Sequence, residues 1–333
     1  MQHGSARGPL FIVSMSRGGS SLLYALLNQH PQVALTYEAE LLLLNPVFLK
    51  PPSLRDWPER WEFLNSAPSR HGVEPGCIPA GASFRTAFER FHREYASRKA
   101  ASIWGDKSPQ CYDRMTFLAR KFPGACFIVV WRNPADTARS IVRAAASGNS
   151  YFQRRGVKTR SLVGYRVFRK QYQSLLRLGI PVHAVDYEDL TRNTRTTMEG
   201  VCKFLQIPFD PRVSTLENAD RSSLHPGEHH TFLRGDEIVS GVTRAEVLES
   251  EWRSKIARYI RLWQRQHEGW PAYPKLPTLD VAEPTMKERL LDDARYICWR
   301  LLDQFIYVVY AFVPLGILRR RKQQASQSAR ADG

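Results

Sequence analysis

Cysteine is sparse in this chain and is spaced for no chemistry of its own. The five cysteines among 333 residues (Cys77, Cys111, Cys126, Cys202 and Cys298) form no C-x-x-C pair and join no histidine at metal-ligand spacing. That excludes a zinc or dithiol centre as an organising feature and leaves reduced, structural thiols as the expectation. The adjacent His229 and His230 read as a solvated loop pair, and no metal is expected. A long apolar stretch is also lacking at the N terminus, which runs almost directly into Leu10–Val13. No cleaved signal peptide is expected, and the compartment reads as cytoplasmic. There is no aromatic ribonucleoprotein motif, so nucleic acid is not expected as a partner. No internal repeat or low-complexity linker precedes residue 270.

What the chain does have is bulk and positive charge. With 43% hydrophobic residues it can bury a sizeable core. Its 48 Lys and Arg outnumber 32 Asp and Glu, a formal +16, which suits an anionic cofactor, an acidic substrate or an anionic membrane. Part of that excess sits in the tail, at Arg319–Lys322 and Arg330.

Residues 10–21, Leu-Phe-Ile-Val-Ser-Met-Ser-Arg-Gly-Gly-Ser-Ser, carry the most information. Four apolar residues lead into a short polar loop and then into the helical run Leu22–Leu27. A buried strand, a tight loop and a helix N-terminus aim unpaired N–H groups and a positive helix end at one point. Gly18 and Gly19 allow close approach, Ser20 and Ser21 add hydroxyls, and Arg17 adds a fixed charge. The site suits a phosphate or sulfate. A Walker A loop would need a Gly at its start and a Lys before its hydroxyl, and both are missing here.

Further along, apolar strands alternate with helices: strands near Val33–Thr36, Ser102–Trp104, Cys126–Trp131 and Val182–Asp186, and helices near 20–29, 82–98, 113–121, 135–146, 161–178 and 194–205. This order predicts an α/β fold with a central parallel sheet flanked by helices on both faces, and ligands at the carboxyl ends of its strands. Residues 45–81 read as an irregular insertion. The expected division is a main domain over 1–275, a helical segment over 276–318 and a basic, disordered tail over 319–333.

The C-terminal helix leaves two readings open. Phe305–Leu318 carries no charge over fourteen residues, spanning ~21 Å as a helix against the roughly 30 Å of a bilayer core. Arg319–Lys322 follow at once. Residues 286–322 therefore suit peripheral membrane contact, or else the helix docks on the core or on a second subunit in a homodimer.

Three more segments place chemistry at strand ends. Lys107-Ser-Pro follows a short strand. Arg132-Asn-Pro leaves the strand ending at Trp131, with Ser140 on the next helix, where the two can bracket a second phosphate. Tyr187 in Val185-Asp-Tyr-Glu-Asp-Leu190 can flank a flat ring. Taken singly, Arg132 reads as a surface arginine and Ser140 as a solvated helix position.

Arg17-Gly-Gly-Ser-Ser-Leu-Leu, His30-Pro31, Glu38, Lys107-Ser-Pro, Arg132-Asn-Pro with Ser140, and Tyr187-Glu-Asp-Leu, in that order, resemble the motifs of sulfotransferases that use 3′-phosphoadenosine-5′-phosphosulfate (PAPS), the tyrosylprotein and Golgi carbohydrate branch and its bacterial relatives above all. The resemblance runs from residue 10 to about 265. It implies a P-loop-NTPase-like sulfotransferase fold, to which the residues at 286–318 add a C-terminal apolar helix. Where that branch reads Pro-Arg-Ser-Gly-Thr-Thr, this chain has Ser16, Gly18 and the pair Ser20-Ser21, which keep small and hydroxyl character.

The resemblance also implies roles. Arg17 through Ser21 hold the 5′-phosphosulfate, Arg132 and Ser140 the 3′-phosphate, and Tyr187 the adenine. Lys107 stabilises charge on the leaving oxygen, and Glu38 is the general base. Glu40 or a histidine are alternatives for the base, and Glu38 paired with an arginine is the blander one. Arg234 falls where the family often adds a late 3′-phosphate loop. His30 reads as structural, and Asp106 as a group that orients Lys107. The implied acceptor is a hydroxyl on a glycan, lipid or other small molecule, recognised by segments 41–81, 147–160 and 220–240. The competing functions are a nucleotide kinase or NTPase and an inactive membrane-associated scaffold.

Overall fold

The computed structural model describes residues 8–39, 61–62, 67–79, 82–146, 157–222, 235–239, 250–265 and 282–320. Most of the expected insertion over 45–81 and much of the other two acceptor segments lie outside them, with Arg234, Glu40, His229 and His230.

Five strands form one parallel sheet: β1 (Leu10–Ser14), β2 (Val33–Tyr37), β3 (Ile103–Lys107), β4 (Cys126–Trp131) and β5 (Val182–Asp186), in the order β2-β3-β1-β4-β5. Period-two side-chain alternation splits the core in two. Phe11, Val13, Phe127 and Val129 face one layer, and Leu10, Ile12, Ile128 and Val130 face the other. The first layer is covered by α2 (Phe84–Arg98), α3 (Met115–Lys121), α5 (Val157–Arg177) and α8 (Ser250–Arg265). The second is covered by α1 (Ser20–Leu27) and α7 (Thr194–Leu205). Between them in sequence lie α4 (Pro134–Ala146) and α6 (Tyr187–Arg192), both leading away from strand ends.

The chain leaves β1 toward one edge and β4 toward the other. The connections therefore diverge between these adjacent strands, the place where ligands bind in open α/β sheets.

Four differences from the expected elements matter. Strand β3 runs on through Lys107 instead of stopping at Trp104, since pairing with β1 and β2 overrides the poor strand propensity of Gly-Asp-Lys. Gly105 is required there, because a Cβ would lie 1.9 Å from the Leu10 carbonyl oxygen. Tyr187 opens helix α6 instead of ending a strand, because the Asp186 carboxylate caps that helix by accepting from the N–H groups of Glu188 and Asp189. Helix α8, with Trp252, Ile256, Tyr259 and Ile260 buried at helical spacing, was not among the expected elements. Finally, the last long helix, α9 (Met286–Phe312), does not continue to Leu318. Pro314 lacks an N–H and forces Val313 into an extended conformation (φ −66°, ψ 131°).

Trp61, within the expected acceptor segment 41–81, is fully buried. It donates to the Ala39 carbonyl at 2.7 Å and packs on Phe91. His30 is structural, with its ring nitrogens engaged by Pro208 O and Gln32 N–H.

Candidate active site

The loop after β1 closes when the Gly18 N–H bonds Met15 O at 2.8 Å. Gly19 then caps α1 in the left-handed conformation, φ 97°, without a side chain to engage the first helical N–H groups. A Cβ on Gly19 would lie 2.1 Å from the Tyr187 ring, so the residue answers both to backbone conformation and to space. Ser20 Oγ lies 2.8 Å from Ser14 Oγ, which also reaches the Met15 carbonyl at 2.9 Å.

On the β4 side of this loop, Arg17 Nε donates to Ser140 Oγ (3.1 Å) and Arg132 donates to the Arg17 carbonyl (2.9 Å). The Arg132 guanidinium lies 4.3 Å over the Tyr187 ring. Arg17, Arg132, Ser140 and Tyr187, from four separate elements, thus meet at the divergence of β1 and β4. Burial and the neighbouring Arg132 charge bring Arg17 down to about 10, so it remains a cation at neutral pH.

On the β3 side, Lys107 is fully buried and its Nζ donates to Glu38 Oε1 (2.5 Å) and Ser21 Oγ (3.1 Å). The same ammonium lies 3.5 Å over the Tyr37 ring, whose hydroxyl is 2.9 Å from Ser21 Oγ. Burial opposes the Lys107 charge, but Glu38 and Tyr37 outweigh it, so its pKa lies above the ordinary lysine value. Tyr37 is raised, chiefly by burial. Sequence reasoning missed Tyr37. The signal lay in the parallel pairing, which sets Tyr37 beside Lys107.

Asp106 and Lys107 are consecutive strand residues and so point to opposite faces. Asp106 therefore orients Glu38 instead of the lysine. Its Oδ1 accepts from Thr36 Oγ1 (2.6 Å) and the Ala39 N–H (3.2 Å), tying the chain on both sides of Glu38. Burial raises Asp106 to about 6, even though these donors and Lys107 favour its charge.

Arg17 (φ 66°) and Glu38 (φ 47°) are two of four described non-glycine residues with left-handed backbones. Such conformations cluster at functional sites, where the surroundings over-determine them. Of the expected residues, Arg17, Gly18, Gly19, Ser20, Ser21, Glu38, Lys107, Arg132, Ser140 and Tyr187 all lie on or beside this one loop.

The site sets Arg17 and Arg132 beside a helix N-terminus, and a carboxylate beside a buried ammonium. The sulfotransferase family model matches residues 9–211. Protein-tyrosine sulfotransferase 1 of Danio rerio is 25% identical over 259 residues, 74% of this chain and 66% of that protein, just under two thirds of its length. The sulfotransferase domain of the Synechococcus PCC 7002 olefin synthase superposes with a TM-score of 0.52 at 18% identity, over 83% of this chain and 98% of that domain, a likeness of fold. The sulfotransferase domain from the curacin biosynthetic pathway gives a TM-score of 0.49 at 20% identity, over 81% of this chain and 99% of that one.

Proposed function

The chain belongs to the sulfotransferase family, and on that premise we propose that it transfers a sulfuryl group from PAPS to a hydroxyl of a carbohydrate, lipid or other small acceptor. The observation that carries this reading is the convergence of two complementary sets on one strand–loop–helix. Arg17 stands with Arg132, Ser140 and Tyr187 on one side, and Lys107 with Glu38 on the other.

The residues fit such a donor. Arg17, the hydroxyls of Ser20 and Ser21 and the N–H groups of α1 suit a 5′-phosphosulfate. Arg132 and Ser140 suit a 3′-phosphate, and the Tyr187 ring suits the flat face of adenine. When bound, PAPS supplies the sulfuryl group and an adenosine bisphosphate leaving group. Glu38 takes the proton of the attacking hydroxyl, a contribution of ~10²–10⁴ in rate. Lys107 Nζ, Arg17 and the helix-terminal N–H groups are preorganised where negative charge grows on the leaving oxygen. Asp106, through Thr36 and Ala39, holds Glu38 in its turned-in conformation.

A titration with adenosine 3′,5′-bisphosphate and with ATP, each with and without Mg²⁺, tests this reading. Metal-independent preference for the bisphosphate is expected, and preference for Mg·ATP would overturn it in favour of a kinase or NTPase. Turnover of labelled PAPS is then measured over glycan, lipid and phenol acceptors. The phenol is included because the Danio rerio relative is named for protein tyrosine. Bisphosphate binding without turnover of any acceptor would point to an inactive scaffold.

A further inference from the structure

Helix α9 docks on the protein with its polar side. Asp292, 2% exposed, accepts from Lys255 Nζ (2.6 Å) and Tyr259 OH (2.7 Å) of α8. Asp293 pairs with Arg166 of α5, Glu288 with Arg258 of α8, and Arg300 with Asp113, while the Tyr296 and Tyr112 hydroxyls lie 3.0 Å apart. On the other side, Leu290, Leu291, Ile297, Leu301, Leu302 and Phe305 are 48–63% exposed. At 3.6 residues per turn these six share an arc of ~140°, which holds no acidic residue between positions 287 and 305. A surface helix ordinarily buries its apolar stripe and wets its polar one. Here the arrangement is inverted, and a contiguous exposed apolar face of this size marks an interaction surface.

Charge selects the partner. Lys287 is exposed at the start of the stripe, and Arg319 and Arg320 are exposed just past its end. The chain as a whole carries a formal +16. Two copies meeting face to face would repel, whereas anionic head groups attract both the helix ends and the chain. Among the described residues no helix is long and apolar enough to cross a membrane, which leaves a helix lying flat. We infer that α9 lies along the surface of an anionic lipid bilayer, its apolar arc at the acyl boundary and Arg319 and Arg320 on the head groups. This contact is independent of the reaction proposed above.

Cosedimentation of the full chain with vesicles tests it, using phosphatidylcholine alone and phosphatidylcholine with a minority of phosphatidylglycerol. Binding is expected to the anionic vesicles and to weaken with salt. The double variant Ile297→Glu/Leu301→Glu is expected to bind at least about tenfold more weakly, and Arg319→Glu/Arg320→Glu to lose the preference for anionic lipid. The thermal melt and the affinity for adenosine 3′,5′-bisphosphate are measured on every variant, and their retention separates lost docking from misfolding. The milder Ile297→Ser/Leu301→Ser serves if the charged pair fails to fold. Absence of vesicle binding would overturn the inference, as would equal binding by the apolar-face variants. So would a dimer in sedimentation velocity that Ile297→Glu/Leu301→Glu dissociates, which would assign the face to a second copy.

Discussion

Lys107 Nζ stands 2.5 Å from Glu38 Oε1 although the two residues are 69 positions apart. The reason is the register of a parallel pair: Tyr37 aligns with Lys107, and the chain turns out of β2 at the next residue. The Glu38 N–H bonds the Lys107 carbonyl at 2.8 Å, so backbone and side chains join the same two residues twice. The proposed base and the proposed leaving-group cation are thereby held within one hydrogen bond of each other.

Removing the carboxylate tests the base. Glu38→Gln is expected to lower turnover of PAPS by ~10²–10⁴ while leaving the affinity for adenosine 3′,5′-bisphosphate within a few-fold. A comparable loss of nucleotide affinity, read by calorimetry, would assign Glu38 to binding instead.

The pair also has a stability signature. Lys107→Met strands a carboxylate and Glu38→Gln strands a buried ammonium, so each single change costs more than its share of the double. A coupling on the order of 1–3 kcal/mol is expected from urea unfolding of the four proteins. Additive effects would mean the contact contributes nothing.

Arg132 is proposed to read the 3′-phosphate, so Arg132→Ala should weaken adenosine 3′,5′-bisphosphate far more than 5′-AMP. A charged hydrogen bond of ~1.5–3 kcal/mol predicts a roughly 10- to 100-fold loss of that discrimination. Equal weakening of both nucleotides would move Arg132 to the 5′ end.

Gly19→Ala meets both a positive φ and the Tyr187 ring. It is expected to destabilise the fold by ~1–3 kcal/mol and to weaken the bisphosphate. Adding Tyr187→Ala relieves the steric part only, so the double variant should regain some stability and no nucleotide affinity.

Asp106 gives a pH dependence of known sign. Its folded pKa of about 6 lies above that of an unfolded carboxyl, so between about pH 4 and 6 the folded state binds more protons. Stability on this account falls as pH rises through that window, by an amount on the order of 3 kcal/mol. Asp106→Asn keeps an acceptor for Thr36 and Ala39 without the charge. Its stability relative to the parent chain should therefore rise from pH 4 to 6 and level off above, as measured by urea melts. A flat difference would show that burial does not raise the Asp106 carboxyl.

The strand–loop–helix at Leu10–Leu27 was legible because each part is local: a buried apolar run, two glycines, two hydroxyls and the apolar helical run Leu22–Leu27. Strands β4 and β5 matched for the same reason, since short apolar runs bounded by Pro and Gly declare themselves. The end of β3 did not, because Gly105, Asp106 and Lys107 have no strand propensity and are extended only by pairing with β1 and β2. Asp106 was assigned to its sequence neighbour Lys107, but strand alternation turns it toward Thr36 and Ala39. Tyr37 carried no motif, and only the register with Lys107 reveals it.

The loop at residues 14–21 and the run of motifs after it were determined by sequence alone, because helix dipoles, glycine freedom and fixed charges act over a few residues. Tertiary structure decided which of those groups face one another. Glu38 meets Lys107, and Arg17 meets Ser140 and Arg132, because parallel strands from distant parts of the chain end at one edge in register. It also decided the orientation of α9, whose apolar stripe the sequence displays without direction. The side that docks is set by the charged partners on α5 and α8, and those are brought together only by the fold.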